Sequence, residues 1–140
     1  MDERVIAVGP RGYAAVWPER PESSETTTYA LARGFWDELE LYDAGGRLWR
    51  VEAVELPGGA AAWRRLLART VWNPRTTARI SYLEPATYEL QALKAALRRA
   101  LAADDDVLTQ FHDAPEIELW LAQASSFEGL VAALERAEQP

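Results

Sequence analysis

The chain has no cysteine, a single histidine (His112) and a single lysine (Lys94) in 140 residues. Each scarcity closes a route to chemistry. Without cysteine there is no thiolate nucleophile, no disulfide and no thiolate metal ligand. One imidazole cannot build a two-histidine zinc site or a two-histidine proton relay. Long apolar runs are missing too, since no stretch approaches the roughly 18 consecutive apolar residues that suggest a membrane-spanning helix. The apolar run at 5–8 falls short of the about 7–15 residues of a secretory signal core. A reducing cytoplasm is the expected compartment, which suits a chain without disulfides. The glycines supply no phosphate loop: Gly9-Pro10-Arg11-Gly12 lacks the spacing and the lysine of a P-loop, and its proline removes an amide donor. No serine sits in a Gly-x-Ser-x-Gly turn.

What the chain does contain is the composition of a globular domain, 49% hydrophobic and 26% charged, at single-domain length. Its formal net charge of −7 repels nucleic-acid phosphates and anionic membranes and attracts a basic protein. Nearly all the positive charge is arginine, whose planar guanidinium suits paired contacts with carboxylates. The joint enrichment in alanine and arginine is explained more simply by a GC-rich coding bias.

The first half reads as strands. Residues 4–8 and 13–17 flank the turn Gly9-Pro10-Arg11-Gly12, and residues 18–28 are polar, predicting a mobile acidic loop. Glu38-Leu39-Glu40-Leu41-Tyr42 alternates, Asp43-Ala44-Gly45-Gly46 tolerates positive φ, and the pattern resumes to Leu56, so 37–56 reads as a hairpin. Trp49, Val51 and Ala53 are expected on one face of its second strand. Residues 60–70 have helical spacing, Asn73-Pro74 breaks the pattern, and 77–83 is a further strand.

The second half reads as helices. Leu90, Leu93, Leu97 and Leu101 recur at intervals of three and four. Asp113-Ala114-Pro115-Glu116 is a capping box opening a helix with Ile117, Trp120, Leu121 and Ala124 on one side. Ser125 to Glu128 reads as a second box, ahead of Phe127, Leu130, Val131 and Leu134. The expected fold is α+β: one domain over 1–140, with N-terminal antiparallel hairpins packed against mainly C-terminal helices.

Four constellations compete for a role. His112-Asp113 resembles a metal dipeptide but lacks further histidines, and Asp113 serves as a helix cap. Asp104-Asp105-Asp106 offers oxygen ligands without the Asp-x-Asp-x-Asp-Gly loop, so a solvated acidic turn is the expectation. Glu38, Glu40, Glu52 and Glu55 read as an outer hairpin face paired with Arg47 and Arg50 rather than as a glycosidase pair. Of the six tryptophans, Trp17, Trp36 and Trp72 fall at element ends, where an exposed ring would anchor a partner.

Poor in catalytic groups, the sequence points to a binding module without cofactor, metal or catalytic residue. The most concrete version is an immunity-type protein that neutralises a basic toxin or enzyme by docking. The expected contacts are Glu19, Glu22, Glu25, Trp17, Trp36, Trp72, Asp104, Asp105 and Asp106, with neither nucleic acid nor membrane as partner. Two alternatives stand beside it: a ligand pocket or carboxylate-based enzyme built on Arg, Glu and Tyr, and a self-associating subunit closing a homodimer.

Overall fold

The computed structural model describes residues 3–10, 12–27, 36–55, 75–103 and 108–140. Among the described residues, seven strands come first: β1 (Val5–Val8), β2 (Ala14–Trp17), β3 (Ser23–Thr27), β4 (Glu40–Asp43), β5 (Arg47–Glu55), β6 (Arg75–Tyr82) and β7 (Ala86–Thr87). Three described helices follow: α1 (Leu90–Ala102), α2 (Ala114–Gln123) and α3 (Phe127–Ala137). The arrangement is α+β, as the order of the sequence patterns implies. The main path through the sheet is β2-β1-β4-β5-β6-β3, antiparallel at every step, with β7 also pairing β5.

Local chemistry sets the hairpins. The β1–β2 turn closes through Gly9 N–H to the Tyr13 carbonyl at 2.9 Å, with Gly12 at φ 79°. In the β4–β5 turn, Gly46 takes φ 82° while the Asp43 carboxylate ties the loop down. Its Oδ1 accepts from Gly45 N–H (3.0 Å) and Arg47 N–H (2.9 Å), and its Oδ2 accepts from Trp49 Nε1 (3.0 Å).

β1 is buried along its whole length because apolar groups cover both faces of the sheet. Ile6 and Val8 join Tyr42 and the inner sides of all three helices, including Leu97, Leu121 and Leu134. Val5 and Ala7 point the other way, into a second cluster with Trp36, Leu39, Leu41, Val51 and Ile80. A strand buried on both sides reads as a continuous apolar run, which Val5-Ile6-Ala7-Val8 is.

Several expectations need revision. Within the segment expected to be a loop, Ser23–Thr27 forms an edge strand that runs antiparallel to β6 from Ser23↔Arg79 to Thr27↔Arg75. The threonines favour extended backbone, and the pairing with β6 supplies the hydrogen bonds that an apolar pattern does not announce. In β5 the register slips between Val51 and Ala53. The extra residue resets the alternation, so Val54 instead of Ala53 follows Trp49 and Val51 into the second cluster. The cap of α3 is Ser126, whose Oγ accepts from Gly129 N–H at 3.1 Å, one residue later than the box at Ser125 suggests. The expected cap of α2 forms, with Asp113 accepting from Glu116 N–H at 3.2 Å. The predicted helix at 60–70 and the break at Asn73-Pro74 lie outside the described residues.

Lys94 is the unusual member of α1, at 7% exposure on a helix side that packs against α2. Its ammonium donates to the Ala122 carbonyl at 3.1 Å, in the last turn of α2. A cation there meets the negative end of the helix dipole and a carbonyl without an intrahelical partner.

Candidate functional site

Two surfaces stand out by their chemistry, one at the β4–β5 turn and one on the outer side of α2. The first is a cavity of about 500 Å³ lined by Glu3, Val5, Glu19, Arg20, Asp43, Gly45, Arg47 and Trp49. The turn chemistry of Asp43 fixes the indole of Trp49 through Nε1. Across it, the chain leaving β2 lays Arg20 over the aromatic face. The guanidinium carbon is 3.6 Å from the Trp49 ring centre and 4.7 Å from that of Tyr82. Those two rings meet edge to face at 6.0 Å, and the Tyr82 hydroxyl donates to the Pro21 carbonyl. The result is an arginine held by two aromatic rings, each of which is tied to backbone or turn.

The second surface follows from helical spacing. Pro115, Glu118, Leu119 and Ala122 recur at three and four residues along α2 and are all exposed. Leu119 keeps 55% of its surface and Phe111, just before the helix, keeps 44%. From residue 113 onward the chain carries Asp113, Glu116, Glu118, Glu128, Glu135 and Glu138 against Arg136 alone, all exposed. Arg4 reaches over from the start of the chain to Glu128 (2.5 Å) and Glu135 (3.8 Å), leaving the α2 carboxylates as the more open part of this field.

His112 works as a local clasp. Its Nε2 lies 2.7 Å from the Gln139 carbonyl, its Nδ1 is 3.8 Å from Glu116, and its ring meets Trp120 edge-on at 4.9 Å. The other face of that cluster is closed by Arg136, 4.1 Å over the Trp120 ring. Among the described residues, no group of three His, Asp or Glu side chains could hold a metal ion. Three tyrosine hydroxyls are pushed up to about 12, all chiefly by burial: Tyr42 with help from the neighbouring Glu40, Tyr82 against the opposing pull of Arg20, and Tyr88 with help from Asp43.

The residues singled out from sequence do not converge on one patch. Glu19 lines the cavity and Glu22 is exposed next to it in the chain. Glu25 stands in β3, and its side chain is not among those described. Trp17 donates from Nε1 to the Tyr13 hydroxyl at 3.0 Å and packs edge-on against Trp36 at 6.2 Å. Trp36 is only 6% exposed, so it is a core ring and offers no free face as an anchor. Trp72 and Asp104, Asp105 and Asp106 lie outside the described residues. Of the hairpin arginines, Arg50 pairs across the strands with Glu40 at 2.9 Å, whereas Arg47 turns to the cavity.

Sequence reasoning missed Arg20, Asp43, Trp49 and Leu119 as site residues. For Asp43 a signal existed: an aspartate opening a Gly-Gly turn favours side-chain bonds to the next amides. Nothing in the pattern ties Arg20 to Trp49, because that contact depends on how the chain returns after β2. No family model, curated protein or solved structure matches this chain.

Among the described residues, no helix is long and apolar enough to cross a membrane.

Proposed function

We propose that the chain is a non-catalytic protein-binding module of the cytoplasm, docking a basic partner on the outer side of α2, with an immunity-type neutraliser of a basic toxin or enzyme as its most concrete form. The observation that carries this reading is the coincidence of an exposed leucine, Leu119, with Glu116 and Glu118 on a regular, capped helix. Anchors of this kind give residence time, and surrounding carboxylates speed the encounter with a cationic surface. The net charge of −7 extends the attraction beyond the contact itself. The rigid support of α2 by α1 and α3 keeps the face pre-organised, which lowers the cost of binding.

The test begins with capture of partners from the native host at low salt, followed by binding kinetics with the purified partner. The expected association rate falls steeply with ionic strength. The double reversal Glu116→Lys/Glu118→Lys slows association by about tenfold at low salt, and Leu119→Ala chiefly accelerates dissociation. A partner whose association is indifferent to the reversal, and whose dissociation is indifferent to Leu119, sinks the assignment of this face.

A further inference from the structure

The cavity at the β4–β5 turn lies against the second core cluster, on the side of the sheet away from the helices, and its chemistry is independent of the docking face. Its volume of about 500 Å³ falls within the roughly 300–1,000 Å³ of small-molecule sites. The most firmly held group in it is Arg20. Its guanidinium carbon lies over both the Trp49 and Tyr82 rings, which hold the group in place through cation–π attraction while its N–H donors stay able to reach a ligand. Among the described residues, neither Arg20 nor Arg47 forms an ion pair. Asp43 is already committed, accepting three hydrogen bonds from its own hairpin.

The remaining charged groups in the lining are Glu3 and Glu19, both exposed. Among the described residues neither glutamate forms an ion pair, so the cavity offers two guanidinium groups and two carboxylates. A dianion such as phosphate would gain the arginines but meet both glutamates and the field of a chain with net charge −7. A molecule with both signs satisfies all four groups. We infer that this cavity binds a small zwitterion of the α-amino-acid type, its carboxylate held by Arg20 and Arg47 and its ammonium by Glu3 and Glu19. The carboxylate matches the planar fork of a guanidinium bidentately, and the exposed part of Trp49 is left for the ligand's side chain.

The test is titration of the whole chain with each of the twenty amino acids, and with acetate, ethylamine and inorganic phosphate. Calorimetry and tryptophan fluorescence provide the readouts, since Trp49 lines the site. At least one amino acid is expected to bind saturably, with acetate, ethylamine and phosphate each about tenfold weaker or more. Arg20→Gln lowers that affinity by about tenfold or more, and Glu19→Gln by a smaller factor. Because Arg20 also packs on two rings, Arg47→Gln is the companion variant: it is exposed, and it weakens binding with an unchanged melting temperature. Phosphate binding as tightly as the best amino acid overturns the zwitterion assignment in favour of a plain anion site. No saturation by any amino acid at about 10 mM, or affinity unchanged in both arginine variants, overturns the site altogether.

Discussion

Three tyrosines show how single residues tie this molecule to pH. Tyr88 donates its hydroxyl to the Asp43 carbonyl (2.5 Å) and stacks edge-on against Tyr42 at 4.9 Å, while Tyr82 donates to the carbonyl of Pro21. In each case burial disfavours the phenolate and raises the hydroxyl from 10.0 to about 12. The unfolded chain releases these protons near 10 and the folded chain keeps them until about 12, so the folded state binds more protons across that window. Stability tied to the protonated hydroxyls is present in full below 10 and is lost as pH rises toward 12. Urea melts from pH 9 to 12 are expected to show a falling midpoint over that window, with Tyr82→Phe or Tyr88→Phe flattening the fall. A midpoint level through this range would show that these hydroxyls titrate freely in the folded state.

At the scale of elements, the helices were the most legible part of the sequence and their exact starts the least. The apolar intervals in α1, α2 and α3 mark the packed sides, with Leu93, Leu97, Leu101, Ile117, Leu121, Leu130, Val131 and Leu134 buried and Leu90, Trp120, Ala124 and Phe127 partly so, because a 3.6-residue period survives any detail of packing. Capping depends instead on which of two adjacent serines takes extended backbone. Ser126 does so, at φ −153° and ψ 165°, because Gly129 must come close to the end of α2. A Cβ at Gly129 would sit 3.2 Å from the Ala124 Cβ, so the α2–α3 turn fixes the register and the register selects the cap. Ser126→Ala is therefore expected to cost about 1 kcal/mol. Ser125→Ala should change stability by less than about 0.5 kcal/mol. Equal losses in thermal or urea melts would mean that the two serines share the cap. The same limit explains β3 and the slip in β5: an edge strand of serine and threonine has no apolar period to read, and a single extra residue flips every later side chain without changing composition. The cavity was illegible for a related reason, since Arg20 and Trp49 are 29 positions apart and meet only after β4 has paired with β1.

For the molecule as a whole, the decisive feature is one sheet shared by two apolar clusters. Ile6 contributes to the helical side and Leu41 to the opposite side, both at 0% exposure, on strands that are directly hydrogen-bonded neighbours. Truncating either leaves a void that close packing cannot refill, so Ile6→Ala and Leu41→Ala should each cost about 2–5 kcal/mol. The clusters carry different reporters. The helices α1, α2 and α3 and the ring of Trp120 lie on the first, whereas Trp17, Trp36 and Trp49 pack in or against the second, so fluorescence is read in a Trp120→Phe background. If the shared strands couple the clusters, far-UV dichroism and tryptophan fluorescence follow one urea transition, and each substitution moves both signals together. Independent clusters would separate the two curves, with Leu41→Ala shifting fluorescence ahead of dichroism. Coincidence is the expected result, because β1 and β4 send alternate side chains to opposite sides and neither side can loosen without displacing the backbone of the other. The same coupling bears on function: a ligand in the cavity at Trp49 would raise the stability of the helical side as well, to the degree that one transition governs both.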